Sequence, residues 1–584
     1  MTSLDAPPTT RGSTSTTSVP TGNDRAAAAR DVGRRLSSRL SVLVLLAVLG
    51  YLILKPLYEI MDQAFGHGTQ GIRAATQTPF IGAAIQATIW LALGSTAIAL
   101  VLGITLAWFA LRLPRGFGWL SIVPVLPIVI PAVASIMGWV FIFSPRVGYG
   151  NQVLRLLPWW SGRQTGPVDI FTLPWIVIIT GLGLSAFVYL FMSAGLRNVN
   201  GELIEASQMS GSSSVGAFFR VMLPMLRPSI VYSTAVCLML ALGQFTAPLL
   251  LGSQVGLQVL TTEMYTRLTQ APFVDIGAAA AIGAPLTLIG ILFVIGQRIV
   301  IGNQARFVSQ GGKSFRPIQK RSPWSAVILI VYGLLAAVLP LIGLVLVAFT
   351  PFWSGQVDLS KLTMRNVNTA FSDPTVTGAV QNSVTFSLWA MVITLPVGFV
   401  IASLLVRSRR YRILRMILDF IVALPLGVPA VMFGFGFLFA YSGGPFHLVG
   451  TSTIVILVYV TLMIPFATRL MLSGMIGLGS AHTEASATCG AGTVYTNLRV
   501  TIPMMRSAIG GAAALIFILL SHEFAASLLV RNLNTNVMGT VLYDAYVNGS
   551  YSQVAVIGLI MTGVTAIGLI ITLFIGGRHA LDAL

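Results

Sequence analysis

Cysteine and charge are scarce in this sequence, and each shortage excludes a class of protein. Two cysteines, Cys237 in an apolar stretch and Cys489 in a polar one, are too few for a disulfide framework or a cysteine metal site. Only 9% of the 584 residues are charged, whereas soluble proteins carry about 25%. The composition therefore excludes an ordinary soluble domain.

Constellations of catalytic residues are missing as well. Of the five histidines, only His522 lies in a long apolar stretch, and no paired catalytic group is apparent. Gly312, Lys313 and Ser314 spell the end of a phosphate-binding loop, but Phe307 occupies the place of its first glycine. We therefore predict that the chain is not an enzyme and that it binds no cofactor itself.

What the sequence has instead is long apolar runs. A helix needs about 20 mainly apolar residues to cross the hydrocarbon core of a bilayer, and twelve stretches meet this requirement. They lie near residues 41–58, 83–110, 119–143, 173–195, 229–252, 276–300, 325–350, 382–406, 416–440, 452–473, 508–530 and 554–577. The sequence therefore predicts an all-α polytopic membrane protein with about twelve transmembrane helices.

The net charge of +18 has a different meaning in a membrane protein than in a soluble one. If the amino terminus is cytoplasmic, most of the 35 lysines and arginines fall in cytoplasmic segments, as the positive-inside rule requires. We therefore predict that both termini are cytoplasmic and that the basic residues face the lipid bilayer surface, not nucleic acid.

Two polar segments divide the chain. Residues 1–40 are rich in Ser, Thr, Pro, Ala and Arg with few bulky apolar side chains, so we predict a disordered cytoplasmic arm. Residues 302–323 are polar and basic and are predicted to form a cytoplasmic linker. The linker separates a first unit, 41–301, from a second, 324–584, with six spans each. Because six is even, the units are predicted to be parallel repeats.

A loop between the fourth and fifth spans of each unit carries a repeated motif. The first copy reads E-A-S-Q-M-S-G from Glu205 and L-P-M-L-R-P from Leu223. The second copy reads E-A-S-A-T-C-G from Glu484 and I-P-M-M-R-S from Ile502, at the same displacement along the chain. This coincidence indicates a duplicated functional loop on the cytoplasmic side.

Each loop is predicted to form two short helices joined at a glycine. In the first copy, residues 203–210 are compatible with a helix, Gly211 can adopt the left-handed conformation that ends it, and residues 212–214 can cap the next. The second helix, 215–222, is expected to stop near Leu223 because a proline follows. An ordinary connecting loop is the alternative, which the duplication disfavours.

The two loops resemble those of the inner-membrane permeases of binding-protein-dependent ABC importers. In that family the loop follows Glu-Ala-Ala, three further residues, Gly, and a Pro thirteen positions later. The corresponding residues are Glu205, Ala206, Ser207, Gly211 and Pro224 in the first copy and Glu484, Ala485, Ser486, Gly490 and Pro503 in the second. This sequence departs from the pattern in the two motif serines, and in Ser507 where the first copy has Pro228.

The resemblance implies that each loop is a coupling helix in a groove of one of two separate ATPase subunits, which bind ATP and magnesium. Glu205 and Glu484 would anchor the loops, and closure of the ATPase subunits would rock the two units between inward- and outward-facing states. An extracytoplasmic solute-binding protein would deliver the solute to this permease in the inner membrane of a prokaryote.

Fusion of two six-helix units in one chain most resembles the ferric-iron and thiamine type of permease. The resemblance therefore favours ferric iron as the solute. Thiamine, a polyamine and an organophosphonate stay open as alternatives, because specificity in this family lies mainly in the binding protein.

Ionisable residues in a predicted span are candidates for the solute pathway. His522 and Glu523 fall in the predicted eleventh span, and Gln244 corresponds to Glu523 in the first unit, as Phe245 does to Phe524. A carboxylate with a neighbouring imidazole could line the path of a cationic or metal solute, since hard cations prefer oxygen ligands. The alternative is an interhelical hydrogen bond that holds the bundle together.

Three further pathway candidates lie in loops predicted to face outward. Tyr265 belongs to T-T-E-M-Y, and Tyr543 with Asp544 follows the matching stretch G-T-V-L. These residues could meet the solute or its carrier protein at the outer mouth. Alternatively, the tyrosines are anchors at the membrane boundary.

An ion-gradient-driven secondary transporter is the alternative for the whole chain. Such transporters can also consist of two parallel six-helix halves. They take up solute with no ATPase subunit attached, and the duplicated Glu-Ala-Ser loop favours the ABC permease.

Overall fold

The computed structural model describes residues 22–66, 68–160, 162–197, 201–270, 274–301, 321–355, 359–407, 412–444 and 446–576. Within these ranges the regular elements are helices and none is a strand, as predicted for an all-α protein. Residues 1–21 of the predicted arm and 302–320 of the predicted linker lie outside the described ranges. The linker sequence Gly312-Lys313-Ser314 is among them.

Among the described residues, eight helices are long and apolar enough to cross a membrane, and four bent pairs bring the number to twelve if each pair is one span. The single helices span Leu43–Phe65, Ile81–Ala110, Leu173–Leu196, Ile276–Gln297, Pro323–Phe349, Pro374–Val406, Ser452–Leu478 and Tyr551–Thr572. The pairs are Gly118–Val129 with Ala132–Phe143, Val215–Met225 with Arg227–Leu242, Arg412–Gly427 with Ala430–Ala440, and Thr493–Met504 with Arg506–Ser521. In chain order, the pairs are the third, fifth, ninth and eleventh spans.

Shorter helices connect these spans. They include Gln70–Thr76, Tyr149–Leu154, Gly201–Met209, Leu260–Thr269, Arg365–Ser372, Ala481–Thr488, Ser527–Val530 and Met538–Val547. Two of them, Gly201–Met209 and Ala481–Thr488, contain the repeated Glu-Ala-Ser motif.

The helix of the first span begins at Gly22, well before the predicted boundary at residue 41. Residues 22–40 are therefore helical, not disordered as predicted. Four consecutive alanines at 26–29 explain the difference, because alanine has the highest helix propensity. The chain forms one compact unit up to Tyr51 and a second from Leu52 onward, and the second holds the spans from the second to the twelfth.

The third and ninth spans bend at a proline. Their two segments meet at 94° and 110°, with Pro131 and Pro429 at the breaks. Proline has no N–H to donate and disfavours the helical conformation in the residue before it. Both breaks lie in the pattern L-P-x-x-(I/V)-P-A-V, at residues 126–133 and 424–431, which is a second duplicated motif.

The fifth and eleventh spans bend by 71° and 74° just after the motif proline. The helix passes through Pro224 to Met225, so the predicted stop near Leu223 is wrong by a few residues. A π-helical turn at Phe218–Met222 precedes the proline, and Asn497–Thr501 repeats it in the second half. The wider turn accommodates a residue that has no N–H for the helical ladder.

The two halves meet where glycines bring helix backbones together. A Cβ atom at Gly138 in the third span would overlap the carbonyl oxygen of Pro340 in the seventh. Equivalently, a Cβ atom at Gly436 in the ninth span would overlap the carbonyl oxygen of Pro56 in the first. Small residues permit such close approach between membrane helices. The first span of each half therefore packs on the third span of the other half.

Candidate functional site

The two repeated loops, named here the first and second coupling loops, have the same structure. Gly211 and Gly490 have φ angles of 87° and 81°, the left-handed conformation predicted for the helix end. In the first loop the Ser213 hydroxyl caps the next helix by accepting from the Gly216 N–H at 3.1 Å, also as predicted. The helices are Gly201–Met209 and Ser214–Ala217 in the first loop and Ala481–Thr488 and Thr493–Thr496 in the second.

Hydrogen bonds close the turn in both loops at equivalent positions. The Ser212 N–H donates to the Ser207 carbonyl oxygen at 3.1 Å, and the Ala491 N–H donates to the Ser486 carbonyl oxygen at the same distance. In the second loop, the Ser486 hydroxyl also bonds to the Thr496 hydroxyl at 2.9 Å. The motif serines therefore form part of the turn and fix the angle between its two helices.

The carboxylates of both coupling loops are exposed. The first two motif residues of each loop are exposed, and the third is half-buried. These residues are Glu205, Ala206 and Ser207 in the first loop and Glu484, Ala485 and Ser486 in the second. Pro224 is half-buried and Pro503 is exposed, each in the turn before the bend of its span.

Large apolar side chains are exposed next to these carboxylates. Val215 is 49% exposed and Phe219 61% exposed in the first loop; Val494 is 73% exposed and Leu498 60% exposed in the second. The four residues follow the loop glycines and lie in the short first segments of the fifth and eleventh spans, before the bends. An apolar patch in a polar region is typical of a protein–protein contact, and this one is duplicated.

A chamber of about 250 Å³ lies between the two halves. The third and fourth spans of the first half form most of its wall, and Ala336, Leu519 and His522 contribute from the second half. Gln244 lies just after the fifth span and also lines the chamber. The structure therefore brings two of the predicted pathway residues, Gln244 and His522, to one cavity.

Two polar atoms of the chamber wall have no hydrogen-bond partner among the residues that the structure describes. They are the Thr180 hydroxyl oxygen, in a side chain that is 4% exposed, and the Nδ1 atom of His522. Buried polar atoms in proteins normally have a partner, so these two are exceptions in the chamber wall. The Gln244 side-chain oxygen accepts the Phe245 N–H at 3.1 Å.

Comparison with known proteins connects this arrangement to transport. Residues 99–303 match the family of binding-protein-dependent transport system inner membrane components. The match continues through the second half in a relative from Sinorhizobium fredii, "Probable ABC transporter permease protein y4fN", which is 25% identical over 91% of this chain and 94% of its own length. Residues 99–303 are therefore a permease domain of this family, and the chain as a whole is similar to an ABC transporter permease.

Two further relatives of the permease have names that state a solute. The ferric transport system permease protein FbpB of Actinobacillus pleuropneumoniae is 22% identical over 80% of this chain and 67% of its own length. A second ferric-named permease, FbpB 1 of Haemophilus influenzae, is 24% identical over 85% of this chain and 78% of its own length. Both alignments extend across the two halves.

The permease domain, the similar proteins and the apolar helices fit a multi-pass transport subunit of the inner membrane. Permeases of this family work with ATPase and solute-binding partners in general.

Glu523 lies beside the chamber, and its carboxylate accepts hydrogen bonds from the turn that follows it in the chain. The helix of the eleventh span ends at Ser521, so His522 and Glu523 lie after it, not within it as predicted. The Glu523 carboxylate accepts the Ala526 N–H at 2.8 Å and the Ser527 N–H at 3.0 Å, as well as the Ser527 hydroxyl. The carboxylate thus accepts N–H groups that have no carbonyl partner at the start of the helix Ser527–Val530. This capping explains why the chain leaves the helical conformation after Ser521.

Replacing Glu523 tests whether its role is in the turn or in the pathway. In Glu523→Ala the N–H groups of Ala526 and Ser527 lose their partners, at a cost of about 1–3 kcal/mol for each buried group left unpaired. We expect a lower melting temperature and less folded permease, whereas Glu523→Gln keeps one acceptor oxygen and most of the stability. Equal loss of uptake in both variants, with unchanged melting temperatures, would instead place the carboxylate in the pathway.

Tyr265 and Tyr543 are buried between the halves, with 6% and 7% exposure. They hydrogen-bond to each other, and burial raises the pKa of both phenols, so each keeps its proton at neutral pH. In this structure the two rings are therefore buried against each other and have little exposed surface. No sequence signal in the two stretches predicts that the rings meet.

Asp544 is held by a neighbouring arginine. The Arg531 guanidinium donates to both carboxylate oxygens, at 2.6 and 2.8 Å, and also to the Asn536 side-chain oxygen at 3.1 Å. Such bidentate pairs are geometrically specific. Asp544 thus connects the Met538–Val547 helix to the segment before it.

Most of the chamber wall was not predicted from the sequence. Ser135 and Trp139 in the third span and Thr180 in the fourth line it without any predicted role. The pattern L-P-x-x-(I/V)-P-A-V could have indicated the third span, because its first copy, 126–133, contributes Pro127, Ile130 and other lining residues. Within the part of the chain that the structure describes, no three His, Cys, Asp or Glu side chains form a metal-binding group.

Proposed function

We propose that the permease forms the solute pathway of an importer and that each coupling loop docks on one ATPase subunit, so that two subunits bind per chain. The observation that carries this proposal is the duplicated surface. Each loop combines an exposed glutamate with exposed apolar side chains on an equivalent helix–turn–helix. A surface present twice, in two parallel halves, fits two copies of one partner.

The proposed orientation places both coupling loops and both termini in the cytoplasm. The distribution of lysine and arginine supports this orientation. The fifth and eleventh spans begin at the coupling loops and lead to the chamber, so a push on a loop acts on the chamber wall directly. ATP and magnesium belong to the ATPase subunits, and the solute-binding protein docks on the opposite face.

Ferric iron is the proposed solute. Two relatives aligned over both halves have ferric transport names. The chamber offers the Thr180 hydroxyl, the Gln244 amide oxygen and the His522 imidazole, and oxygen atoms are the ligands that hard cations prefer. Few ligands suit a pathway, because a cargo that is bound tightly would not be released.

Uptake by the reconstituted complex tests the solute. Proteoliposomes holding the permease with its ATPase subunits are supplied with ATP inside and with the ferric-loaded solute-binding protein outside. We expect ATP-dependent iron accumulation, and none when a non-hydrolysable ATP analogue replaces ATP. ATP-dependent uptake of thiamine without uptake of iron would overturn the ferric proposal and retain the importer.

A further inference from the structure

Four aromatic side chains form one cluster across the boundary between the halves. Phe245 and Phe524 stack at 6.0 Å between ring centroids, with an interplanar angle of 29°. Tyr265 packs on Phe245 at 5.5 Å and Tyr543 packs on Phe524 at 5.7 Å. Each half thus contributes one phenylalanine and one tyrosine at equivalent positions. We name these four residues the aromatic plug.

The plug is closely packed. Phe245 and Phe524 are 1% and 3% exposed. A Cβ atom at Gly539 would lie 3.2 Å from the Cβ atom of Phe524, so the lack of a side chain at Gly539 allows Phe524 to pack closely against it. Nearby, the buried Tyr546 hydroxyl donates to the Leu250 carbonyl oxygen of the other half at 2.9 Å. The halves are therefore in continuous contact around the plug.

The plug lies next to the chamber, at the end away from the coupling loops. Gln244 and His522 line the chamber, and Phe245 and Phe524 follow them by one and two residues. The helices that lead from the coupling loops end just before, at Leu242 and Ser521. The plug therefore follows directly after the two helices that start at the coupling loops, beside the chamber.

We propose that the aromatic plug is the seal that closes the chamber on the side opposite the coupling loops, and that Phe245 and Phe524 separate when the halves rock apart. This inference rests on the proposed function, whose alternating states it assigns to particular side chains. The two stacked phenylalanine rings suit a seal, because they exclude water when closed and carry no polar atom that would be left unpaired when they part.

Labelling of a chamber cysteine from each face tests the seal. Ser135→Cys places a thiol in the chamber wall, in a background with Cys237→Ala and Cys489→Ser. Spheroplasts expose the outer face to a membrane-impermeant maleimide, and inverted vesicles expose the inner face. The plug variant is Phe245→Ala with Phe524→Ala. Its matched control is Phe433→Ala with Phe435→Ala, which removes two fully buried rings from the ninth span.

With the plug intact, we expect slow labelling in spheroplasts. The plug variant should be labelled several-fold faster there, while the control stays slow and labelling in inverted vesicles is alike in all three. If the alanine pair does not fold, Phe245→Leu with Phe524→Leu should give an intermediate rate. Equal rates in plug and control variants, or fast labelling with the plug intact, would overturn the seal. If the ATPase subunits still co-purify with the permease in that case, the proposed seal is wrong but the proposed importer function stands.

Discussion

Replacing Glu205 and Glu484 together by arginine is expected to detach the ATPase subunits from the permease and to abolish ATP-driven uptake. Both carboxylates are exposed at the start of their coupling loops, beside exposed apolar side chains that a partner would bury. A partner groove that accommodates a carboxylate repels a guanidinium, and such like-charge contacts cost several kcal/mol. We therefore expect affinity to fall more than about tenfold at each loop. Co-purification of ATPase subunits with the permease measures the loss.

The single variants should retain partial attachment, since the other loop stays intact. Asp169→Arg is the matched control, because it makes the same charge change at an exposed residue between the third and fourth spans. It should leave attachment unchanged. Full attachment and uptake in the doubly reversed permease would contradict the role of the two glutamates.

Replacing Gly138 by alanine is expected to destabilise the permease although alanine favours a helix. The added Cβ atom meets backbone atoms of Pro340, which cannot rotate away as a side chain can. Overpacking of this kind costs about 1–3 kcal/mol, which exceeds the gain of about 1 kcal/mol in helix propensity. Gly436→Ala should act alike, because its Cβ atom meets the backbone of Pro56. Thermal unfolding in detergent measures both effects.

Gly563→Ala is the control for these variants. Gly563 lies in the twelfth span, and a Cβ atom there would have no neighbour within 4 Å. Its melting temperature should be unchanged or slightly higher. If all three variants melt alike, the close contacts between the halves do not hold the permease together.

Local sequence patterns predicted the spans and the coupling loops. An apolar run of sufficient length has few structures open to it in a bilayer, so the twelve stretches correspond to helices or bent pairs. Gly211 and Gly490 end their helices because glycine adopts the left-handed conformation without strain. Both inferences depend on residues close together in sequence.

The features that were missed depend on contacts between distant residues. The burial of Tyr265 and Tyr543 results from the pairing of Phe245 with Phe524 across the halves. The role of Glu523 depends on the turn that its carboxylate caps, and the apolar run around it looks continuous in the sequence. The helix over residues 22–40 was missed because the prediction relied on the overall composition of residues 1–40. That composition is typical of disorder, and the four alanines at 26–29 are a small part of it.

Counting the ATPase subunits on the purified wild-type permease is the most direct test of the coupling loops. Native mass spectrometry of the detergent-extracted complex gives that count. Two ATPase subunits for each permease chain are expected, one for each loop. A complex that imports solute with a single ATPase subunit, or with none, would contradict the account.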